Sequence, residues 1–233
     1  MYQHAIDEMI QNLLNLIFPN NCVLCGNHLV KQENTICISC EVNLPYTQLS
    51  NLEDNPVHKL FWGKCAIEHA YSLLYFTKGG KVQQLLHEFK YKKNTKIGEM
   101  MGQHIGYELK KLKSRYDLVI PVPLHPKKEK LRGFNQSDFI ASGLSSTLKS
   151  KFNNSRLKRI HFNESQTRKD RYTRFENTEQ IFQCSNEGIF DNQHILIVDD
   201  VITTGSTLES CVNTILKENK NVKISLCSIA VAV

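Results

Sequence analysis

Two adjacent carboxylates followed at once by a run of hydroxyls stand in Ile195-Leu-Ile-Val-Asp199-Asp200-Val-Ile-Thr203-Thr204-Gly205-Ser206-Thr207-Leu208. The apolar stretch His194–Val198 reads as a buried strand, and the amphipathic Leu208–Lys217 after it as a helix. A loop that opens a helix offers free backbone N–H groups and a partial positive charge, which suit a phosphate monoester. Thr203, Thr204, Ser206 and Thr207 add hydroxyl donors, and Gly205 allows close approach of the backbone. Asp199 and Asp200 repel phosphate, so they need another partner: vicinal sugar hydroxyls acting as donors, or a bound Mg2+. A plain helix cap needs one such residue. Here six acids or hydroxyls and a glycine fall within nine positions. Neither G-x-x-x-x-G-K-S/T nor G-x-G-x-x-G occurs, and Gly79-Gly80-Lys81 reads as a turn.

The second chemical cluster is Cys22-Val-Leu-Cys25 followed, after eleven residues, by Cys37-Ile-Ser-Cys40. Two C-x-x-C pairs at this separation form a four-thiolate zinc site, because each tight turn offers two thiolates to one face of a tetrahedron. Gly26 supplies the positive φ such a turn often needs. Four thiolates close the coordination sphere, so this zinc is structural. His28 lies nearby but is not needed as a ligand. Cys65, Cys184, Cys211 and Cys227 are scattered and read as ordinary small residues.

These groups must be positioned by the elements around them. Ile6, Ile10, Leu13, Leu14 and Ile17 recur at helical spacing, and Pro19 ends the run. Residues 41–69 lack periodicity. From residue 70 the pattern alternates: strand Ala70–Thr77, helices near Lys81–Lys90 and Ile97–Leu112, strand Asp117–Val122, helix Phe134–Leu148, then the strand and helix around Asp199, and strand Ile224–Val231. Strands apolar on both faces and interleaved with helices imply an α/β fold with a mostly parallel sheet flanked by helices. Ligands of such sheets bind at the carboxyl ends of strands. The organisation expected is an N-terminal helix and zinc-binding module over 1–45, a connector over 46–69, and the α/β domain over 70–233.

Composition narrows the class. The 233 residues are 41% hydrophobic, which excludes a mainly disordered chain, and carry a formal charge of +6. No run approaches the roughly 18 apolar residues of a membrane helix. Met1–Ile10 contains Asp7 and Glu8 and no basic lead-in to an apolar stretch, so a cytoplasmic protein with reduced thiols is expected. The segment 149–174 holds nine Lys or Arg against only Glu164 and Asp170.

The Asp199–Thr207 stretch resembles the 5-phosphoribosyl-1-pyrophosphate (PRPP) motif of type I phosphoribosyltransferases. Three further features widen the likeness: Pro121-Val-Pro-Leu-His125-Pro, Arg132-Gly-Phe-Asn135-Gln136, and the spaced Gln166, Arg171, Arg174, Asn177 and Phe182. With them the chain is similar to the ComF family. These are bacterial phosphoribosyltransferase-like proteins linked to DNA uptake in natural competence, with an N-terminal cysteine zinc module. The resemblance implies a type I phosphoribosyltransferase-like fold in which Asp199 and Asp200 hold the ribose hydroxyls and Thr203, Thr204, Gly205, Ser206 and Thr207 the 5-phosphate. It makes Val122, Pro123, Leu124 and His125 the pyrophosphate loop, followed by Lys127, Lys128 and Arg132. The basic segment 149–174 falls where such enzymes place a mobile flap, with Arg171 joining the two acids in catalysis. Arg159, Arg168, Lys169 and Arg174 would close on a polyanion there, or face single-stranded nucleic acid. Two departures stand out: many relatives carry a fuller double zinc ribbon, whereas only Cys65 follows the first cluster here, and Asn163 stands where Thr is expected.

The implied chemistry is attack of a nitrogen nucleophile at C1 of the ribose as pyrophosphate leaves, with Mg2+ and cationic side chains stabilising the developing charge. Flap closure would exclude water. No stretch reads as an acceptor pocket. Three readings therefore stand: a transferase with an unknown acceptor, a non-catalytic DNA-uptake factor contacting single-stranded DNA or competence proteins, and a PRPP-sensing regulator.

Overall fold

The computed structural model describes residues 20–160 and 181–232. The helix read over Ile6–Ile17 and the flap positions Arg168, Lys169, Arg171 and Arg174 lie outside those residues. In chain order the first elements are α1 (Ile38–Val42), α2 (Pro56–Lys59), β1 (His69–Phe76), α3 (Lys81–Tyr91), α4 (Thr95–Lys111), β2 (Leu118–Pro121) and α5 (Pro126–Arg132). They are followed by α6 (Gln136–Leu148), β3 (Lys151–Phe152), β4 (Leu157–Arg159), β5 (Phe182–Cys184), β6 (His194–Ile202), α7 (Ser206–Glu218) and β7 (Lys223–Ala232).

Five strands, every pair parallel, form one sheet in the order β1-β7-β6-β2-β3. Because successive side chains alternate between faces, each strand feeds two cores. Val119, Leu196, Val198 and Cys227 pack under α3, α4 and α6. Leu118, Ile120, Ile195, Ile197 and Leu226 pack under α7, together with Leu157 and Phe182 of the antiparallel β4–β5 ribbon. Helices α4 and α6 approach so closely that a Cβ on Gly102 would lie 2.1 Å from the Ile140 carbonyl oxygen.

Strand β2 passes the chain outward to β3, whereas β6 passes it the other way to β7, so the order of strands reverses between β2 and β6. That reversal opens a crevice beyond the carboxyl ends of the two strands. Pro121 pairs with Val198, and the Val122 N–H donates to the Val198 carbonyl at 2.9 Å. The Pro123 loop therefore leaves the sheet beside the Asp199–Asp200 part of β6.

The connector is more ordered than its lack of periodicity suggests. Pro45–Thr47 runs antiparallel along the outer edge of β1: Tyr75 N–H donates to the Pro45 carbonyl at 2.8 Å and Thr47 N–H to the Leu73 carbonyl at 3.0 Å. The chain then crosses to the opposite face, where α2 buries Val57 and, just beyond its end, Phe61. The cysteine module itself sits against α3 and α4. Gln84 Nε2 donates to the Val23 carbonyl at 2.8 Å, His104 meets Glu41 at 3.1 Å, and Leu29, Ile36 and Leu44 join the core of that face. Gly26 has the expected positive φ, +76°.

The short elements α1, α2, β3, β4 and β5 were not read from the sequence, and two further differences bear on the site. β6 does not stop at Val198 but continues through Ile202, so Asp199 and Asp200 lie inside its carboxyl-terminal half rather than after it. The loop after β2 is followed by α5, a helix with no buried residue and hence no apolar period to read.

Candidate ligand site and zinc module

The acids come first. Asp199 pairs with Ser228 and Val201 with Ala230 in the middle of β7, which holds the backbone on both sides of Asp200 in the sheet. Asp199 Oδ1 accepts the Asp200 N–H at 2.8 Å and the Ser137 hydroxyl at 3.3 Å. Burial, reinforced by the neighbouring Asp200 charge, pushes the Asp199 carboxyl up to about 7. Near neutrality this group donates as well as accepts hydrogen bonds. Asp200 Oδ2 pairs with Lys90 Nζ at 2.7 Å, both side chains mostly shielded from solvent. Lys90 lies on α3 and Ser137 on α6, and neither was visible as a site residue in the sequence.

The loop that follows is not spent on capping. Helix α7 begins at Gly205, φ +80°, with no side-chain cap hydrogen bond. Ser206 N–H makes one long contact, to Thr204 Oγ1 at 3.4 Å. Thr203, Thr204, Ser206 and Thr207 all face solvent, and the Thr204 and Ser206 hydroxyls hydrogen-bond each other at 2.9 Å. The first-turn N–H groups remain available to an anion. Gly205 has a role in packing as well: a Cβ there would sit 2.9 Å from Phe61 Cε1, so the missing side chain makes room for that ring. Lys64, three residues on, donates from Nζ to the Thr204 carbonyl at 3.2 Å.

The β2 side contributes Val122, buried, and Pro123, Leu124 and His125, partly exposed. His125 caps α5, its Nδ1 accepting the Lys127 N–H at 3.2 Å. Lys127, Lys128 and Arg132 ride on α5. Arg132 Nη1 donates to Gln136 Oε1 at 2.9 Å, and Asn135 Nδ2 donates to the Val122 carbonyl at 3.1 Å. The Arg132–Gln136 motif thus ties the end of α5 and the start of α6 to β2, and Ser137 extends that tie to Asp199. Gln136 Nε2 is buried without a partner among the described residues. Of the flap positions, only Arg159 is described; it lies on β4 with its guanidinium 5.5 Å above the Phe182 ring.

In the cysteine module the four Sγ atoms lie within 4.8 Å of one another. Cys25 and Cys37 Sγ are 3.7 Å apart. Tetrahedral Zn–S bonds of about 2.3 Å require sulfurs about 3.8 Å apart, so the cluster fits zinc. Burial opposes charge on Cys22, but backbone N–H groups of Cys37, Cys25 and Leu24 outweigh it and bring the thiol down to about 6. N–H···S bonds of this kind support metal-bound thiolates. Among the described residues this is the single such cluster, and Cys65 lies apart, packed beside the α7-side core.

A family model described as a phosphoribosyl transferase domain matches residues 139–233, and one described as a double zinc ribbon domain matches residues 13–50. Competence protein F of Haemophilus influenzae is 27% identical over 211 residues, covering 82% of this chain and 88% of that protein. The chain resembles the ComF family. Competence protein ComFC of Bacillus subtilis is 26% identical to this chain over 151 residues, 64% of the chain and 60% of the relative. Among solved structures, the allosteric regulatory enzyme of purine biosynthesis matches with a TM-score of 0.41 and 13% identity, over 60% of this chain and 29% of that one. The architecture here is the type I phosphoribosyltransferase-like fold carrying a four-cysteine module.

Proposed function

We propose that this chain binds a 5-phosphoribosyl ligand, PRPP with Mg2+, at Asp199–Thr207 and serves DNA uptake, transferring the phosphoribosyl group to a nitrogen acceptor. One observation carries the reading: at the reversal of strand order, paired carboxylates lie near the carboxyl end of a central strand and an uncapped, hydroxyl-lined helix start follows them. The acids suit the 2- and 3-hydroxyls of a ribose, and the helix start suits its 5-phosphate. The Pro123–His125 loop and Arg132 on α5 flank the acids, where the pyrophosphate would leave. Mg2+, when bound, supplies positive charge to that leaving group. The names of the relatives, competence protein F and ComFC, support the role in DNA uptake. A thiolate zinc module suits a reducing compartment, consistent with a cytoplasmic place of action.

The test is calorimetry with PRPP and Mg2+, followed by incubation with a panel of nitrogen acceptors while pyrophosphate release is recorded. Binding should vanish in the Asp199→Ala, Asp200→Ala double variant. Unchanged affinity in that variant would refute the assignment, and binding without turnover on any acceptor would favour a sensor over a transferase.

A further inference from the structure

The phosphate loop carries no cation of its own, and its surroundings are acidic. Asp199 and Asp200 precede it and Glu209 follows in the first turn of α7. A phosphate dianion seated on Thr203–Thr207 therefore lies close to the Asp200 charge, part of the Asp199 charge and, in the first turn of α7, Glu209, and the helix start, worth about half a unit charge, does not balance them. Lys90 offsets one, being matched to Asp200 at 2.7 Å. Another fixed positive charge is needed on the side of the loop away from the acids.

The connector brings one. Lys64 Nζ lies 3.2 Å from the Thr204 carbonyl, across 140 residues of sequence. That bond uses one of the three N–H donors of an ammonium. The side chain is exposed, so a ligand can reach it. Its base, by contrast, is fixed. Lys64 N–H donates to the Phe61 carbonyl at 3.0 Å, and Phe61 is 1% exposed with its ring against Gly205. Asn55 caps α2 through the N–H groups of Val57 and His58, while its own amide donates to the Ala70 carbonyl of β1 at 3.1 Å. An exposed ammonium on a rigid base, parked on the carbonyl of a hydroxyl-lined anion loop, is a preorganised phosphate contact.

We propose that Lys64 is a ligand of the phosphate monoester bound at Thr203–Thr207, so that the connector between the zinc module and the sheet completes the site. This rests on the phosphoribosyl reading above. Binding moves one ammonium donor onto a phosphate oxygen, and the Thr204 carbonyl keeps another.

The experiment uses the full chain with ribose 5-phosphate as probe and ribose as control. Trp62 is the only tryptophan and lies two residues from Lys64, so its fluorescence serves alongside calorimetry. Lys64→Met should weaken ribose 5-phosphate about tenfold and flatten the dependence of affinity on salt, since a screened charge contact is lost. Lys64→Arg should stay within about threefold of the parent, and ribose affinity should not change. If Lys64→Met unfolds, Lys64→Gln makes the same contrast. Parent affinity and parent salt dependence in the neutral variants would overturn the proposal. Loss of binding in the Asp199→Ala, Asp200→Ala protein alongside full binding in Lys64→Met would overturn it while leaving the site where it is. A parent protein that binds neither ribose 5-phosphate nor PRPP would overturn both.

Discussion

The Asp200–Lys90 pair is the contact whose loss the site should tolerate least, because removing one partner strands the other charge in a shielded crevice. Lys90→Met should cost about 2–3 kcal/mol, somewhat less than a fully buried pair. Adding Asp200→Asn should recover much of that, which denaturant melts of the single and double variants would reveal. A double variant no more stable than Lys90→Met would show that the pair is incidental. Asp199 makes the opposite case. Its native pKa of about 7 lies above the roughly 3.9 of an unfolded aspartate. Its contribution to stability is therefore whole below about pH 4 and is lost as pH rises through 7. Asp199→Asn should raise stability by about 1–2 kcal/mol at pH 8, roughly 3–6 °C, with the gain shrinking toward pH 5. The same variant should lose ligand. Asp199, Asp200 and the hydroxyl run were legible in the sequence because they are contiguous, and one strand–loop–helix turn presents them all. Lys90, Ser137, Phe61 and Lys64 were not, because each reaches the loop from an element whose own spacing reports only its packing.

At the scale of elements, the sheet was legible wherever burial writes a period, and illegible where it does not. Strands β1, β2, β6 and β7 announced themselves as apolar runs; the ends of β1, β2 and β7 moved by one residue, whereas β6 runs four residues past Val198 because Asp199 and Asp200 break the apolar run without ending the strand. Helix α5, all its residues at least partly exposed, carried only its end signals, Pro126 at the first turn and Gly133 at the last. The other end of the sheet has a chemistry of its own. There β1 starts with His69, buried, its Nε2 2.6 Å from the Tyr116 hydroxyl and its Nδ1 3.4 Å from Ser225 Oγ, which in turn meets His194 Nε2 at 2.8 Å. Burial, with His194 close by, lowers the His69 pKa to about 4. The neutral ring is the native form, so the stability it contributes is whole above about pH 6.5 and is lost as pH falls toward 4. That loss amounts to about 3 kcal/mol. His69→Gln should flatten the acid limb of the stability profile by one proton's worth between pH 6.5 and 4. An unaltered slope in denaturant titrations at pH 7, 5.5 and 4.5 would mean that another group governs acid unfolding.

Over the whole molecule, the strip that leads out of the zinc module is an edge guard. Pro45–Thr47 occupies the free side of β1, and a bare edge strand is a template for association. Zinc binding energy in such modules is folding energy. Stripping about one zinc per chain with a chelator should raise amide exchange at Thr47 and Tyr75 and increase light scattering, while β2 and β6 keep their protection. Unchanged exchange at those two amides would separate the metal from the edge. The inner side of β1 has a different dependence. It pairs with β7 alone, and Phe76 and Lys223 are separated by about 150 residues of chain. At synthesis rates of about 5–20 residues per second, β1 waits roughly 8–30 s for that partner. Throughout that interval the early third of the polypeptide has an outer edge it can shield with its own module and an inner edge it cannot. Vectorial production thus holds this molecule open along one seam, and the arrival of β7 closes β1 and β6 together in a single late step.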